Sequence, residues 1–268
     1  MSSHIGQNFL VNLNVAEKIV KRFLPVDGNI LEIGPGKGVL TDLLVKYRQN
    51  NPITAIELDS GLYYKLKSKY TENFEVLNRD ILKVDLVRLF PEGPHSSGEV
   101  NVIGNIPYYI SKELMDWVIK YYSRIPRGVF MMQKEFVNKI SSTPDSQEYN
   151  AQAVLFNALY RVEKLFDVQP GSFSPQPRVI STVFGFKSRS DGFETPIDVQ
   201  SFYEFLQQCF SHRRKTLLNN LSGLSNAERL WDVFERRSIN PKIRAEQLNL
   251  KDFLEFFHAI APGGPGRF

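Results

Sequence analysis

The sequence predicts an α/β protein: a Rossmann-like, mostly parallel sheet with an antiparallel edge strand, followed by a small C-terminal all-helical domain. Three observations predict it. Apolar runs of strand length alternate with helical patterns over the first two thirds of the 268 residues, as in a parallel sheet covered on both faces. A glycine-rich turn, Gly34-Pro35-Gly36-Lys37-Gly38, follows the first apolar run, where a strand must turn tightly into a helix. Past the Ser/Gly-containing stretch near residue 190, apolar residues recur only at three- and four-residue spacings.

The elements follow in order. Strands are expected over 29–33, 53–57, 74–78, 99–103 and 128–132, each a short run rich in Ile, Val, Leu or Phe. Helices are expected over 39–47, 61–69, 113–122 and 135–141. Runs 160–166 and 182–186 have little but a loop between them and read as an antiparallel pair closing the sheet. Pro175 and Pro177 make 171–178 irregular, because proline fixes φ and lacks an N–H. Residues 187–196, with Ser188, Ser190, Asp191 and Gly192, read as a linker. Helices are then expected over 202–210, 215–221, 227–236 and 251–259. The domain division is 1–190 and 191–268.

An apolar content of 42% and a charged content of 23% are those of an ordinary globular chain. No stretch approaches the roughly 20 apolar residues of a membrane span. Met1–Gly6 has no basic segment leading into an apolar core, so it reads as neither a secretory signal nor a mitochondrial presequence. The one cysteine, Cys209, excludes an intrachain disulfide and fits a reducing compartment, so a cytoplasmic location is expected. Its neighbours Phe205, Leu206 and Phe210 point to core packing rather than nucleophilic chemistry. His4, His95, His212 and His258 have no ligand spacing, and no metal is expected. The net charge of +4 decides little. Its clustering matters more: Arg213-Arg214-Lys215 is dense, and Arg236-Arg237 with Lys242 and Arg244 is looser. Each suits either a solvated helix face or a phosphate-contacting surface. No feature demands a dimer, so a monomer is expected.

The chemistry concentrates in Val102-Ile103-Gly104-Asn105-Ile106-Pro107-Tyr108, an apolar strand that stops at an amide, a proline and an aromatic ring. The Asn105 side-chain oxygen and the Ile106 carbonyl suit the two N–H groups of an exocyclic amine on a flat base. The Tyr108 ring suits stacking on the base face, and Pro107 stiffens the backbone between them. The plain structural alternative is a strand end followed by a turn. Upstream, the glycine turn permits close backbone approach to a ligand at a helix N-terminus. Glu57 ends the second strand, twenty-three positions after Gly34, where an acid holds ribose hydroxyls. A dinucleotide would want Gly-x-Gly-x-x-Gly, yet Val39 occupies the third glycine's place. S-adenosylmethionine has no pyrophosphate and tolerates the Gly-x-Gly-x-Gly found here. Glu32 suits a site near its sulfonium, and Asp80, after the third strand, suits an adenine amine.

These residues resemble those of the ribosomal RNA adenine dimethyltransferase family, most closely its bacterial small-subunit branch. The matching pieces are Gly6-Gln7-Asn8-Phe9-Leu10, Leu31–Gly38 with Leu40-Thr41, Ile56–Asp59, Gly104–Tyr108, Met132–Glu135, Phe173–Val179, Phe210–Leu221 and Arg244–Leu248, spanning nearly the whole chain in order. The resemblance implies a class I methyltransferase sheet. It implies that Asn8, Leu10, Gly34, Gly36, Glu57, Asp80 and Asn105 contact S-adenosylmethionine or border its pocket. Asn105, Ile106, Pro107 and Tyr108 would hold the target adenine, and the Phe173 ring would pack on that base from the other side. Arg213, Arg214 and Lys215 would bind RNA phosphates. The implied reaction dimethylates the N6 amines of two adjacent adenosines near the 3′ end of small-subunit RNA, in the setting of a pre-30S subunit. The alternatives are a large-subunit RNA methyltransferase of the antibiotic-resistance type, or an assembly factor with vestigial methylation. Departures from the family pattern are Ser2, Ser3 and His4 in place of basic residues, Tyr109 where asparagine is common, Asn150 for glycine and Ile180 for aspartate.

Overall fold

The structure is a computed structural model of the chain. It describes residues 8–48, 50–93, 96–189, 193, 197–224 and 227–260. The elements are, in order, β1 (Phe9–Leu10), α1 (Leu13–Phe23), β2 (Asn29–Ile33), α2 (Val39–Tyr47), β3 (Ile53–Glu57), α3 (Ser60–Lys69), β4 (Phe74–Asn78), α4 (Leu86–Leu89), β5 (Val100–Asn105) and α5 (Ser111–Lys120). Then come β6 (Arg127–Gln133), α6 (Lys134–Ile140), α7 (Ala151–Leu159), β7 (Tyr160–Val168), β8 (Phe173–Ser174), β9 (Ser181–Ser188), α8 (Val199–Cys209), α9 (Leu217–Leu221), α10 (Leu230–Arg236) and α11 (Leu250–Ile260). The chain divides into two compact units, 1–137 with 160–188, and 138–159 with 189–268. The boundary expected at 190/191 lies outside the described residues. The segment 138–159 groups with the helical unit because α7, buried along most of its length, packs on α8.

In the first unit a seven-stranded sheet runs β4-β3-β2-β5-β6-β9-β7. Strands β4 to β6 are parallel, β9 runs antiparallel to β6, and β7 antiparallel to β9. The closing pair is thus antiparallel, and the strand running against the rest is its inner member. Alternate side chains take opposite faces. Ile30, Ile103, Val129, Met131 and Val183 pack with Ala16, Ile19, Val20 and Phe23 of α1 and with Leu40 and Leu44 of α2. Leu31, Ile33, Val102 and Met132, at the intervening positions, are buried as well. Burial on both faces explains why these strands read as unbroken apolar runs. Asn12 begins α1 by accepting from the Asn14 and Val15 N–H groups (3.1 and 3.2 Å), a cap worth about 1 kcal/mol.

The chain leaves the central strand β2 outward to β3 and β4, then returns to place β5 on the other side of β2. That reversal opens a crevice beyond the carboxyl ends of the strands. The approach is close: a Cβ on Gly104 would lie 2.5 Å from the Ile33 carbonyl oxygen.

In the helical unit, α8 buries Phe202, Tyr203, Phe205, Leu206 and Cys209. Phe253 and Phe256 of α11 pack on Phe210 and on Phe234 of α10, with ring centroids 5.7 and 4.8 Å apart. The Cys209 thiol is fully enclosed and its pKa is raised by burial, so it serves packing. Among the described residues no helix is long and apolar enough to cross a membrane.

Gly104→Ala drives a methyl group against the β2 backbone, which cannot yield as a side chain would. The substitution is expected to destabilise the protein by about 1–3 kcal/mol. Urea unfolding of both proteins measures it, and an unchanged midpoint would show that the strands separate freely.

Candidate active site

Three strand ends meet at the crevice. A cavity there is lined by Asn8, Phe9 and Leu10; by Glu32, Gly34, Pro35, Gly36, Lys37, Val39 and Leu40; by Glu57; and by Asn105, Ile106, Pro107 and Tyr108. All lie in the first unit. Gly34, Gly36 and Gly38 have φ of 64°, 59° and 84°, a region other residues enter only with strain. At Gly36 space is also short, since a Cβ would meet the Phe9 ring at 3.1 Å.

Glu57 is held from both oxygens. Gly36 N–H donates to Oε2 and Asp59 N–H to Oε1, each at 2.9 Å. Burial pushes its pKa up, and these two hydrogen bonds oppose that shift. Each oxygen keeps a lone pair for a ligand hydroxyl. Glu32 is fully buried, and burial raises its pKa to about 8, with Glu57 and Asp42 adding repulsion against the Thr41 hydrogen bond. Thr41 Oγ1 donates to Oε2 at 2.7 Å, and Oε1 has no partner among the described residues. A buried polar atom without a partner at a cavity wall suits a ligand donor.

The β5 end presents the opposite wall. Asn105 Nδ2 donates to the Asn8 carbonyl at 3.1 Å. No described donor reaches Asn105 Oδ1. The Ile106 N–H donates to Met131 O at 3.0 Å, and no described donor reaches its own carbonyl. Two acceptors on neighbouring residues are thus open. Tyr108 is half-buried, its pKa is raised by burial, and its hydroxyl lies 2.8 Å from Ser181 Oγ.

The structure brings Asn8, Leu10, Gly34, Gly36, Glu57, Asn105, Ile106, Pro107 and Tyr108 to one cavity. Asp80 is not in its wall. It sits beyond the end of β4, accepts from the Leu82 N–H at 3.0 Å and acts on Tyr109 electrostatically together with Glu57. Gly6 and Gln7 lie outside the described residues. Phe173 is not among the residues of the cavity wall either. Antiparallel pairing of β1 with β8 sets Phe173 opposite Leu10, and at 3% exposure it packs into the core with α1. Lys215 also differs from expectation: α9 starts two residues later, capped by Thr216, so Arg213, Arg214 and Lys215 occupy an exposed turn of the helical unit. Phe9 was not foreseen as a wall residue, because a two-residue strand has no periodicity. Its place inside Gly6–Leu10 was the available signal.

The fold and the cavity define a class I S-adenosylmethionine-dependent methyltransferase. The family model described as ribosomal RNA adenine dimethylase matches residues 1–262. The chain belongs to that family. A ribosomal RNA small subunit methyltransferase A of Malacoplasma penetrans is 34% identical over 95% of this chain and 90% of its own length. One from Acidobacterium capsulatum is 35% identical over 92% of this chain and 87% of its own length. Among solved structures, a dimethyladenosine transferase from Plasmodium falciparum shares the fold with a TM-score of 0.76 at 23% identity, covering 92% of this chain and 95% of that one. A 23S rRNA methyltransferase shares it with a TM-score of 0.68 at 22% identity, covering 94% of this chain and 99% of that one.

Glu32 yields a pH test. Its folded pKa of about 8 exceeds the ordinary 4.5, so the folded chain keeps a proton the unfolded chain has lost between those values. Stability from this group therefore falls as pH rises through that window. Glu32→Gln is expected to raise the Tm of the ligand-free protein by a few degrees near pH 9, with the gap closing near pH 5. Calorimetry at both pH values checks it, and equal gaps would show that Glu32 is ionised in the folded state.

Proposed function

We propose that this enzyme dimethylates the N6 amines of two adjacent adenosines near the 3′ end of small-subunit ribosomal RNA, acting as a cytoplasmic monomer on a pre-30S subunit. The observation that carries the reading is the pair of open acceptors, Asn105 Oδ1 and the Ile106 carbonyl, across one cavity from the Glu57 carboxylate and the glycine turn. The relatives' names favour the small subunit over the large-subunit alternative. The intact Asn105–Tyr108 run speaks against a purely structural assembly factor.

The cavity fits S-adenosylmethionine. Glu57 accepts from ribose hydroxyls, the Gly34–Gly38 backbone takes the close approach, and Glu32 Oε1 waits for a donor. Asp80 contributes at the adenine end. When bound, the cofactor supplies an electrophilic methyl group on a sulfonium. The target amine is a weak nucleophile, because its lone pair is delocalised into the purine. Asn105 Oδ1 and the Ile106 carbonyl take its two hydrogens and favour a pyramidal nitrogen with the lone pair directed across the cavity. Alignment of this kind supplies much of the rate. No strong base is needed before attack, because the proton leaves once nitrogen has become cationic.

The target base must leave its stack, at a cost of a few kcal/mol. Stacking on Tyr108 returns roughly 1–3 kcal/mol. Phe173, buried and in register with Leu10, is the residue the family resemblance sets on the other face of that base. Arg213, Arg214 and Lys215 bind phosphates and fix position rather than sequence.

Asn105→Ala is expected to abolish methyl transfer to small-subunit RNA while cofactor affinity falls only modestly. Mass spectrometry of the RNA and calorimetry with S-adenosylmethionine measure the two, and near-normal turnover would refute the role. Replacing Arg213, Arg214 and Lys215 with glutamine is expected to weaken RNA binding and to flatten the dependence of log K on log[salt] by up to about 3 units. An unchanged slope would assign the three to structure.

A further inference from the structure

We propose that Ser181 is a positioning residue for methyl transfer: its hydroxyl holds the Tyr108 ring in the orientation on which the target base stacks. The inference rests on the reading of Tyr108 as the base platform.

The backbone fixes only one end of Tyr108. The residue opens a single 3₁₀ turn, Tyr108–Ile110, tied by the Ile110 N–H to the Pro107 carbonyl at 3.2 Å. Rotation about two side-chain bonds would still leave the ring plane undetermined. The 2.8 Å contact between its hydroxyl and Ser181 Oγ pins the far end. A ring held at both ends presents one face at one angle, which a stacked base needs and a swinging ring would not offer.

Ser181 is suited to be the fixed partner. It is fully buried and begins β9, between Gln133 of β6 and Val168 of β7 in register. Its neighbours are tied on both sides. The Ile180 carbonyl accepts from the Lys134 N–H at 3.0 Å. Thr182 Oγ1 donates to Asp167 Oδ1 at 2.6 Å, and Asp167 Oδ2 meets Lys134 Nζ at 2.6 Å. The serine therefore cannot follow the ring, and the ring must conform to the serine. The same bond turns the phenol hydroxyl toward β9, which leaves the ring face as the group that stacking uses. Loss of either partner leaves a polar group short of a hydrogen bond in a site partly closed to water.

The test uses the full chain as Ser181→Ala, Tyr108→Phe, the double substitution and Tyr108→Ala. Steady-state methylation of small-subunit RNA, calorimetry with S-adenosylmethionine and thermal unfolding are measured on each. Ser181→Ala and Tyr108→Phe are each expected to lower turnover about tenfold, with cofactor affinity unchanged. The double substitution is expected to be no worse than either single one, because both cut the same bond. Additive losses, or turnover falling together with cofactor affinity, overturn the proposal. Should Ser181→Ala fail to fold, Tyr108→Phe breaks the bond from its more exposed end and decides alone: unchanged turnover overturns the proposal. Tyr108→Ala separates the two levels of inference. Normal turnover there removes the platform reading itself, whereas its loss beside a normal Ser181→Ala removes only the role of Ser181.

Discussion

The 3.1 Å hydrogen bond from Asn105 Nδ2 to the Asn8 carbonyl sets which end of that amide faces the cavity. With one amide N–H engaged by Asn8, the oxygen keeps both lone pairs to accept from a ligand. Much of the surrounding structure serves that bond. Asn8 directly precedes β1, and β1 is held by β8, a pairing supported by the Val11 N–H to the Ser172 carbonyl at 2.8 Å. Asn105 closes β5, whose tip is fixed to β6 by Ile106 and drawn to β2 by the missing Cβ of Gly104. Segments ninety-seven positions apart thus converge on one amide.

The sheet was legible because burial on both faces leaves unbroken apolar runs, and β2, β3 and β4 fall where those runs do. Helices α1 and α7 were not foreseen. The first has its buried residues at 16, 19, 20 and 23, a helical spacing of only about three turns directly after the β1 segment. The second is buried on nearly every side, so it lacks the polar face that gives a helix its period. That also hid the return of 138–159 to the helical unit. Within the site, the glycines, Glu57 and the Asn105 run were legible because each is a residue type its position demands. The burial of Phe173 was not legible, because a two-residue strand pairing, which no local pattern announces, sets it opposite Leu10. Ser181 was invisible for a related reason: a lone serine at a strand start acquires a role only through a partner seventy-three residues away.

In the helical unit, structure sorts two basic clusters that looked alike as strings. Arg236 and Arg237 are committed to Glu255 and Asp252, each at 2.6 Å, and so join α10 to α11. Arg213, Arg214 and Lys215 are exposed on a turn whose shape is set from beneath. There the buried Asn220 amide donates to the Cys209 and His212 carbonyls at 2.7 and 3.2 Å. A backbone braced by a buried amide presents three exposed cations, of which Arg213 also donates to the Ser146 carbonyl at 3.3 Å. Counterion release rewards that arrangement when phosphates arrive.

The cavity also divides charge between its walls. Carboxyl groups, Glu57 and Glu32, stand on the side of the glycine turn, and the wall at the end of β5, Asn105 to Tyr108, carries no carboxylate. The division follows from the reaction, in which a positive charge present at the start on sulfur ends on nitrogen. A carboxylate beside the acceptor nitrogen would bind the starting cation as well as the product cation, and interactions equal in ground and transition states do not accelerate chemistry. A neutral amide attracts either charge weakly, so its contribution lies in geometry: it orients two hydrogens and thereby a lone pair. Aspartate at 105 would keep an acceptor oxygen but lose the Nδ2 donor that binds Asn8. Its orientation would become free as its charge appeared, and both changes run against transfer.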